Sequence, residues 1–322
     1  MHASMRLVGD IGGTNARFAL VPAGTRTPIN VGEVRCVDYP SLIPAIESYL
    51  QQHANPPLIE AVIAVGTPIV GDWLAMTNNH WAFSQNEISQ AFSLQRLKFI
   101  NDFTAQALSL PYLEPEDLVQ VGTGGCVPDG TKAVLGPGTG LGVSGLIPVA
   151  GGGWTPLQGE GGHVSLAPVG EREKAVVRWL ATTLTDSAGH VSAERFLSGP
   201  GLEWIYRGLC ATDSVTGANE TAAQISAAAL ARTDKLAAEA LAIFCRQLGS
   251  VSSDLALTLG ATGGVYIAGG IVPRLLDYFM QSDFRHAFEN KGRSSDYLKP
   301  IATQVVIRHN PALLGASSLL DD

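Results

Sequence analysis

The chain has 322 residues, 46% of them hydrophobic and 16% charged, with a formal net charge of -8. That length and apolar content suit two domains with a core each. The acidic balance and the lack of any Lys/Arg run argue against a nucleic-acid partner. Cys36, Cys126, Cys210 and Cys245 lie far apart and form no C-x-x-C pair, so neither a zinc cluster nor a disulfide framework is indicated. No apolar run approaches the ~20 residues of a membrane span, so no membrane partner is expected. A first strand at about residue 5 leaves no room for a signal peptide, and a cytoplasmic location is the expectation.

Three early strands are expected at Arg6 to Gly9, Arg17 to Val21 and Gly32 to Val37. The first two flank L-V-G-D-I-G-G-T-N-A-R (7–17). Gly12-Gly13 is a turn that no side chain obstructs, able to take φ > 0 and to bring backbone N–H groups against an anion. Thr14 and Asn15 add side-chain donors. Asp10, at the strand end, can hold a metal ion beside phosphates. A tight hairpin with a solvated Asp is the plainer alternative. No helix follows the turn, which argues against a dinucleotide fingerprint.

Ser41 can cap a helix to about Gln52, stopped by Asn55-Pro-Pro57. Ile59 to Val65 reads as a buried strand, Gly71-Asp72-Trp73 as a hairpin, and Ser84 with Glu87 as a capping box for a short helix. Leu97 to Ile100 is a further strand, so the order is β-β-β-α-β-α, that of a ribonuclease-H-like, actin-type lobe. Asn101-Asp102 follows that strand and starts a helix, Phe103 to about Leu110. Ligands gather at the carboxyl ends of strands in α/β sheets, but Asp is also a common N-cap. Pro111 to Pro115 reads as a crossing to a second lobe.

That lobe opens with a second glycine hairpin, V-L-G-P-G-T-G-L-G-V-S (134–144), with no Walker lysine. Two such hairpins suggest two loops facing one polyphosphate. Glu160 and His163 stand three apart on a glycine-rich loop. They are either a surface Glu with a packed His, or an acceptor and a donor/acceptor for sugar hydroxyls. A metal site would need further ligands, and none has suitable spacing. Glu171 to Leu184 is an amphipathic helix. Ser192 is read as the N-cap of a helix carrying Glu194 in its first turn, where a carboxylate also favours the helix dipole. Ser198-Gly-Pro-Gly201 precedes a helix from Leu202 to Leu209. Thr221 to Leu230 and Lys235 to Leu259 are Ala-rich helices. In 263–273 a buried strand runs into Gly269-Gly270 and a helix starting near Pro273, placed to meet phosphate or ribose. A strand at Val305 to Ile307 and a helix from Pro311 end the chain.

G-D-I-G-G-T-N-A-R (9–17), I-N-D-F-T-A (100–105), G-P-G-T-G-L-G (136–142), G-E-G-G-H-V (159–164), H-V-S-A-E-R (190–195), L-S-G-P-G-L (197–202) and G-G-V-Y-I-A-G-G-I-V-P-R (263–274) together resemble the bacterial glucokinase family of the hexokinase/actin-like sugar kinases. The resemblance implies a two-lobed ribonuclease-H-like, actin-like ATPase fold. A cleft would separate a small α/β lobe, residues 1–112 completed by about 303–322, from a larger α+β lobe, 113–302. It implies ATP-dependent phosphorylation of glucose at its 6-hydroxyl, with Asp102 as general base and Asn101, Asp102, Glu160, His163 and Glu194 on the sugar. ATP would meet Gly9, Asp10, Ile11, Gly12, Gly13, Thr14, Gly138, Thr139, Gly140, Gly269 and Gly270, with Mg²⁺ on Asp10 through water. A homodimer is also implied. Ser165 departs from the family pattern, where an acidic residue is expected after G-H-V. A cysteine-rich zinc loop of the repressor/open-reading-frame/kinase relatives is absent. The alternatives are a non-enzymatic sugar sensor of the same fold, or a kinase for another hexose.

Overall fold

The computed structural model describes residues 4–185, 188–216 and 219–320, so residues 321 and 322 of the expected terminal segment lie outside the described residues. The chain divides into two compact units. One comprises Met1–Glu114, Pro156–Gln158 and Arg308–Asp322, the other Pro115–Thr155 and Gly159–Ile307.

In the first unit, β1 (Met5–Ile11) and β2 (Asn15–Pro22) pair antiparallel with Ile11 opposite Ala16, closing on residues 12–14. β3 (Ile29–Arg35) adds antiparallel to β2. The chain then crosses through α1 (Leu42–Gln51) to β4 (Leu58–Val65), which lies parallel to β1. After a small hairpin of β5 (Trp73–Ala75) and β6 (Ala82–Ser84), α2 (Gln85–Ala91) leads to β7 (Arg96–Asn101), parallel to β4. The sheet order is β3-β2-β1-β4-β7. β4 is almost wholly apolar because a strand flanked by parallel neighbours is covered on both faces. Leu7, Ile11, Phe18, Leu20, Ile46, Tyr49, Ile63 and Trp81 form this unit's core. Each large apolar side chain buried there contributes about 1.5–3 kcal/mol.

β7 runs directly into α3 (Asp102–Ser109). After the second unit, α11 (Pro311–Ser317) returns and lies on α3. The two helices touch backbone to backbone: a Cβ on Gly315 would strike the Ala105 carbonyl oxygen and come within 2.9 Å of Ser109 N. The helix that begins with Asp102 is therefore seated by the chain's last helix.

The second sheet holds β8 (Leu118–Val121), β9 (Lys132–Pro137), β10 (Leu141–Pro148), β11 (Trp154–Leu157), β12 (Val265–Ile267) and β13 (Thr303–Val306), in the order β11-β10-β9-β12-β13-β8, all in the second unit but for the last two residues of β11. β9 and β10 are antiparallel, β12 is parallel to β9 and β13, and β8 closes the edge antiparallel to β13. Both sheets thus set a glycine-hairpin strand inside the sheet, with two hairpin-side strands on one flank and two parallel strands next to it on the other, beyond which the second sheet adds antiparallel β8. Helices α4 (Glu171–Thr183), α5 (Gly199–Thr212), α6 (Ala222–Ala231) and α7 (Lys235–Leu259) accompany this sheet. Buried Ala237, Leu241, Phe244 and Leu248 form a stripe at helical spacing on α7. Asp234 caps that helix through Leu236 and Ala237 N–H groups, and Gly260 ends it at φ 62°. Short helices α8 (Leu276–Met280), α9 (Phe284–Glu289) and α10 (Ser295–Leu298) fill the approach to β13.

Five local expectations change. Ser84 caps α2 by accepting from Glu87 N at 3.1 Å, without the return bond of a capping box. Ser41 precedes α1 but makes no capping bond. Gly71-Asp72 is not the hairpin turn. Asp72 accepts from Ser84 Oγ at 2.6 Å and Asn86 N at 2.9 Å, anchoring the loop to α2, and the turn falls at 76–81. No helix starts at Ser192. Ala193 and Glu194 donate their N–H groups to Val164 and Gly162, and a single turn ends at Ser198, whose extended backbone caps α5. The helix expected at Pro273 is a 3₁₀ turn, Val272–Leu275, interrupted because Leu275 leaves the helical region at φ -113°. Gly315→Ala should lower stability by about 1–3 kcal/mol, the cost of forcing extra volume into a filled contact. Urea denaturation checks this, and an unchanged midpoint would mean that α11 can back away from α3.

Candidate active site

The strand registers gather the first unit's candidate residues at one edge. Ile11 is level with Val65, and Val65 with Asn101. The turn after β1 and the Asn101-Asp102 pair after β7 therefore leave the sheet at the same carboxyl end, where α/β sheets present ligand groups.

The turn is held by a bond of its own and by its surroundings. Gly12 N–H donates to Asn15 O at 3.0 Å, and Cys36 N–H to Thr14 O at 2.8 Å. Asn79 Nδ2 donates to Gly12 O at 3.0 Å, while its Oδ1 accepts from Trp81 N at 2.8 Å. A Cβ at Gly13 would lie 2.9 Å from both Cβ and O of Asn78, so that position admits no side chain. Asn15 Nδ2 bonds Glu33 at 2.8 Å, and Thr14 is exposed. Asp10 is largely enclosed, with Arg17 Nη1 at 3.7 Å. Burial pushes the Asp10 carboxyl above its ordinary range and Arg17 pulls against that shift. Among the described residues no three His, Cys, Asp or Glu side chains cluster to hold a metal. A single enclosed carboxylate suits a Mg²⁺ ion that brings most of its ligands as water and phosphate oxygens.

Asn101, not Asp102, is the N-cap of α3. Its Oδ1 accepts from Phe103 N at 2.9 Å and Thr104 N at 3.2 Å. Asp102 is the first helical residue, with Oδ1 accepting from Phe103 N at 2.9 Å. A Cβ on Gly66, just beyond β4, would lie 3.2 Å from Asp102 Oδ2, so the missing side chain there gives the carboxylate room.

In the second unit, residues 138–140 close β9 to β10, with Gly138 N donating to Gly140 O at 2.8 Å. Gly199, the first residue of α5, donates its N–H to Gly138 O at 2.8 Å. Gly269, at φ 80°, lies against this hairpin, where its Cβ would come 2.5 Å from Pro137 O. Gly270 beside it is open, with nothing near its Cβ position. Glu160 and His163 are both exposed on a one-turn 3₁₀ segment, where His163 N donates to Glu160 O at 3.0 Å. Glu194 joins the two groups. Its N–H donates to Gly162 O at 2.9 Å, and its Oε2 accepts from Leu141 N at 2.9 Å. Ser165 Oγ is 3.1 Å from His190 Nε2, and Ser165 bridges Ser192 antiparallel.

The first unit thus carries Gly9 to Thr14, Asn101 and Asp102. The second carries Gly138 to Gly140, Glu160, His163, Glu194, Gly269 and Gly270. Sequence reasoning missed Asn79, Asn78 and Gly66. Asn-Asn-His-Trp (78–81) and the glycine after β4 were visible signals, but nothing local tied them to the first turn or to Asp102.

This fold is one that sugar kinases share. The crystal structure of a glucokinase from an Antarctic psychrotroph matches with a TM-score of 0.86 at 36% identity, over 98% of each chain. The Glucokinase family model covers residues 7–322. The glucokinase of Chromobacterium violaceum is 48% identical over 319 residues, 98% of this chain and 89% of that protein. That of Campylobacter jejuni subsp. doylei is 46% identical over 318 residues, 98% of this chain and 94% of that one. The chain belongs to the glucokinase family.

The two glycine turns differ in how they tolerate a side chain. At Gly138 a Cβ would meet only Gly140 O, at 4.0 Å. Gly13→Ala should cost about 1–3 kcal/mol by overpacking, while Gly138→Ala should stay within about 0.5 kcal/mol of wild type. Thermal unfolding of both variants measures the contrast, and equal losses would contradict it.

Proposed function

We propose that this protein is an ATP-dependent glucokinase that transfers the γ-phosphoryl group of ATP to the 6-hydroxyl of glucose. The observation that carries this reading is Asp102 at a strand's carboxyl end with its capping duty taken by Asn101, in a chain of the glucokinase family. Phosphoryl transfer asks a protein mainly for positioning and charge neutralisation.

On this proposal Asn101, Glu160, His163 and Glu194 hydrogen-bond the sugar hydroxyls. Gly9 to Thr14 and Gly138 to Gly140 present backbone N–H groups to the phosphates, and Gly270, next to Gly269 on the hairpin, leaves an open surface for the nucleoside. Asp102 accepts the proton of the 6-hydroxyl. The oxygen's electron pair forms the bond to the γ-phosphorus as the bond to the bridging oxygen breaks, and that pair leaves with ADP. Asp10 would hold Mg²⁺ through water, and the ion supplies neutralisation of phosphate charge. No helix among the described residues is long and apolar enough to cross a membrane. The family resemblance supports a homodimer acting in the cytoplasm.

ADP release coupled to NADH oxidation, with and without glucose, tests the reaction. Asp102→Asn tests the role. An amide cannot take the proton, so the variant should fold and bind glucose while turnover falls about 10²–10⁴-fold. Since Asn101 caps the helix, a purely structural Asp102 predicts near-normal turnover. Retention of more than about a tenth of wild-type activity would remove Asp102 from the chemistry.

A further inference from the structure

We infer that Glu194, beyond any bond to sugar, is a positioning residue for the nucleotide turn, so that one carboxylate serves both substrates. The inference rests on the glucokinase reading above and deepens it.

Three contacts place Glu194 at a joint. Its Oε2 accepts from Leu141 N at 2.9 Å, at the exit of the Gly138-Thr139-Gly140 turn. A Cβ on Gly140 would run into that same oxygen, so the turn and the carboxylate are in direct apposition. Its backbone N–H donates to Gly162 O at 2.9 Å, inside the loop that carries Glu160 and His163. The segment it starts grips the turn a second time. Ser198 Oγ donates to Glu194 O at 2.8 Å and caps α5, and Gly199 N–H then donates to Gly138 O at 2.8 Å. Both ends of the turn are thus held by residues 194–199, one end through a side chain alone.

A hydrogen bond to an ionised acceptor is among the stronger ones and strongly directional. With Oε2 bound to Leu141, Oε1 is left to face a sugar hydroxyl. Any shift of the carboxylate made by the sugar then moves the turn that receives ATP, and the reverse follows by linkage. The sign of the effect separates this role from simple charge. Deleting a carboxylate near a triphosphate relieves repulsion and should tighten nucleotide binding. Deleting the latch of a glycine turn should loosen it.

The test is calorimetric binding of the β,γ-imido analogue of ATP, with Mg²⁺, in the absence of any sugar. Glu194→Ala should weaken the analogue about tenfold, the scale of one lost bond to a charged acceptor. Glu194→Gln keeps an oxygen for Leu141 N–H, so analogue binding should stay close to wild type while the KM for glucose rises. Glu194→Asp keeps the charge but falls short of Leu141, so it should behave as Ala does towards the analogue and carries the test if the Ala variant does not fold. Gly140→Ala, which displaces the carboxylate, should raise the KM for both substrates. Analogue binding in Glu194→Ala or Glu194→Asp as tight as wild type would overturn the inference, as would a Gly140→Ala enzyme with an unaltered KM for glucose. A wild-type protein that makes no ADP with glucose would instead overturn the underlying function and this inference with it.

Discussion

A turn made of glycine has no side chains with which to hold itself still, and this constraint shapes both units. A loop that offers backbone N–H groups to an anion works only if those groups point the same way before the anion arrives. In the first unit the bracing comes from outside the turn, through Asn79 on Gly12, Cys36 on Thr14 and the body of Asn78 against Gly13. In the second it comes from Glu194 on Leu141, Gly199 on Gly138 and Gly269 against Pro137. The β5–β6 hairpin and the 194–199 segment are otherwise unremarkable pieces of chain. Their placement follows from the need to fix something that cannot fix itself.

The sheets explain why two such turns exist and where they sit. Each unit puts an antiparallel hairpin at the middle of a sheet whose next strands run parallel. Parallel strands require crossovers, and each crossover leaves its strand at the carboxyl edge, where ligand groups gather. Asp102 is carried there by β7 and seated by α3, which α11 holds through the bare backbone of Gly315. Gly269 and Gly270 reach the corresponding edge of the second sheet after β12.

Much of this was legible from the residues. The strands of β1, β4 and β9, and the full span of α7, follow from apolar runs and a helical stripe bounded by Asp234 and Gly260. Elements whose backbone bonds are drawn away by distant partners were not legible. The Ser192 region reads as a helix start but gives its donors to Val164 and Gly162, and the Gly71-Asp72 pair reads as a turn but is tethered to α2. Whether Asn101 or Asp102 caps α3 was not legible, because Asn and Asp cap about equally well and only the backbone angles decide between them. Among the candidate site residues, Glu194 was visible through family resemblance alone. Its bond to Leu141 spans 53 residues, and that from Asn79 to Gly12 spans 67, separations over which local pattern carries no information.

The central claim is a specific bond formed at a specific oxygen: phosphate moved from ATP to the 6-hydroxyl of glucose. Phosphorus-31 and carbon-13 NMR of a reaction containing the protein, Mg²⁺, ATP and uniformly ¹³C-labelled glucose test it directly. The account predicts loss of the γ-phosphate resonance, growth of a phosphomonoester signal, and phosphorus coupling at carbon 6 of the sugar. An unchanged γ-phosphate signal, or phosphorus coupling at carbon 1 instead, would contradict it.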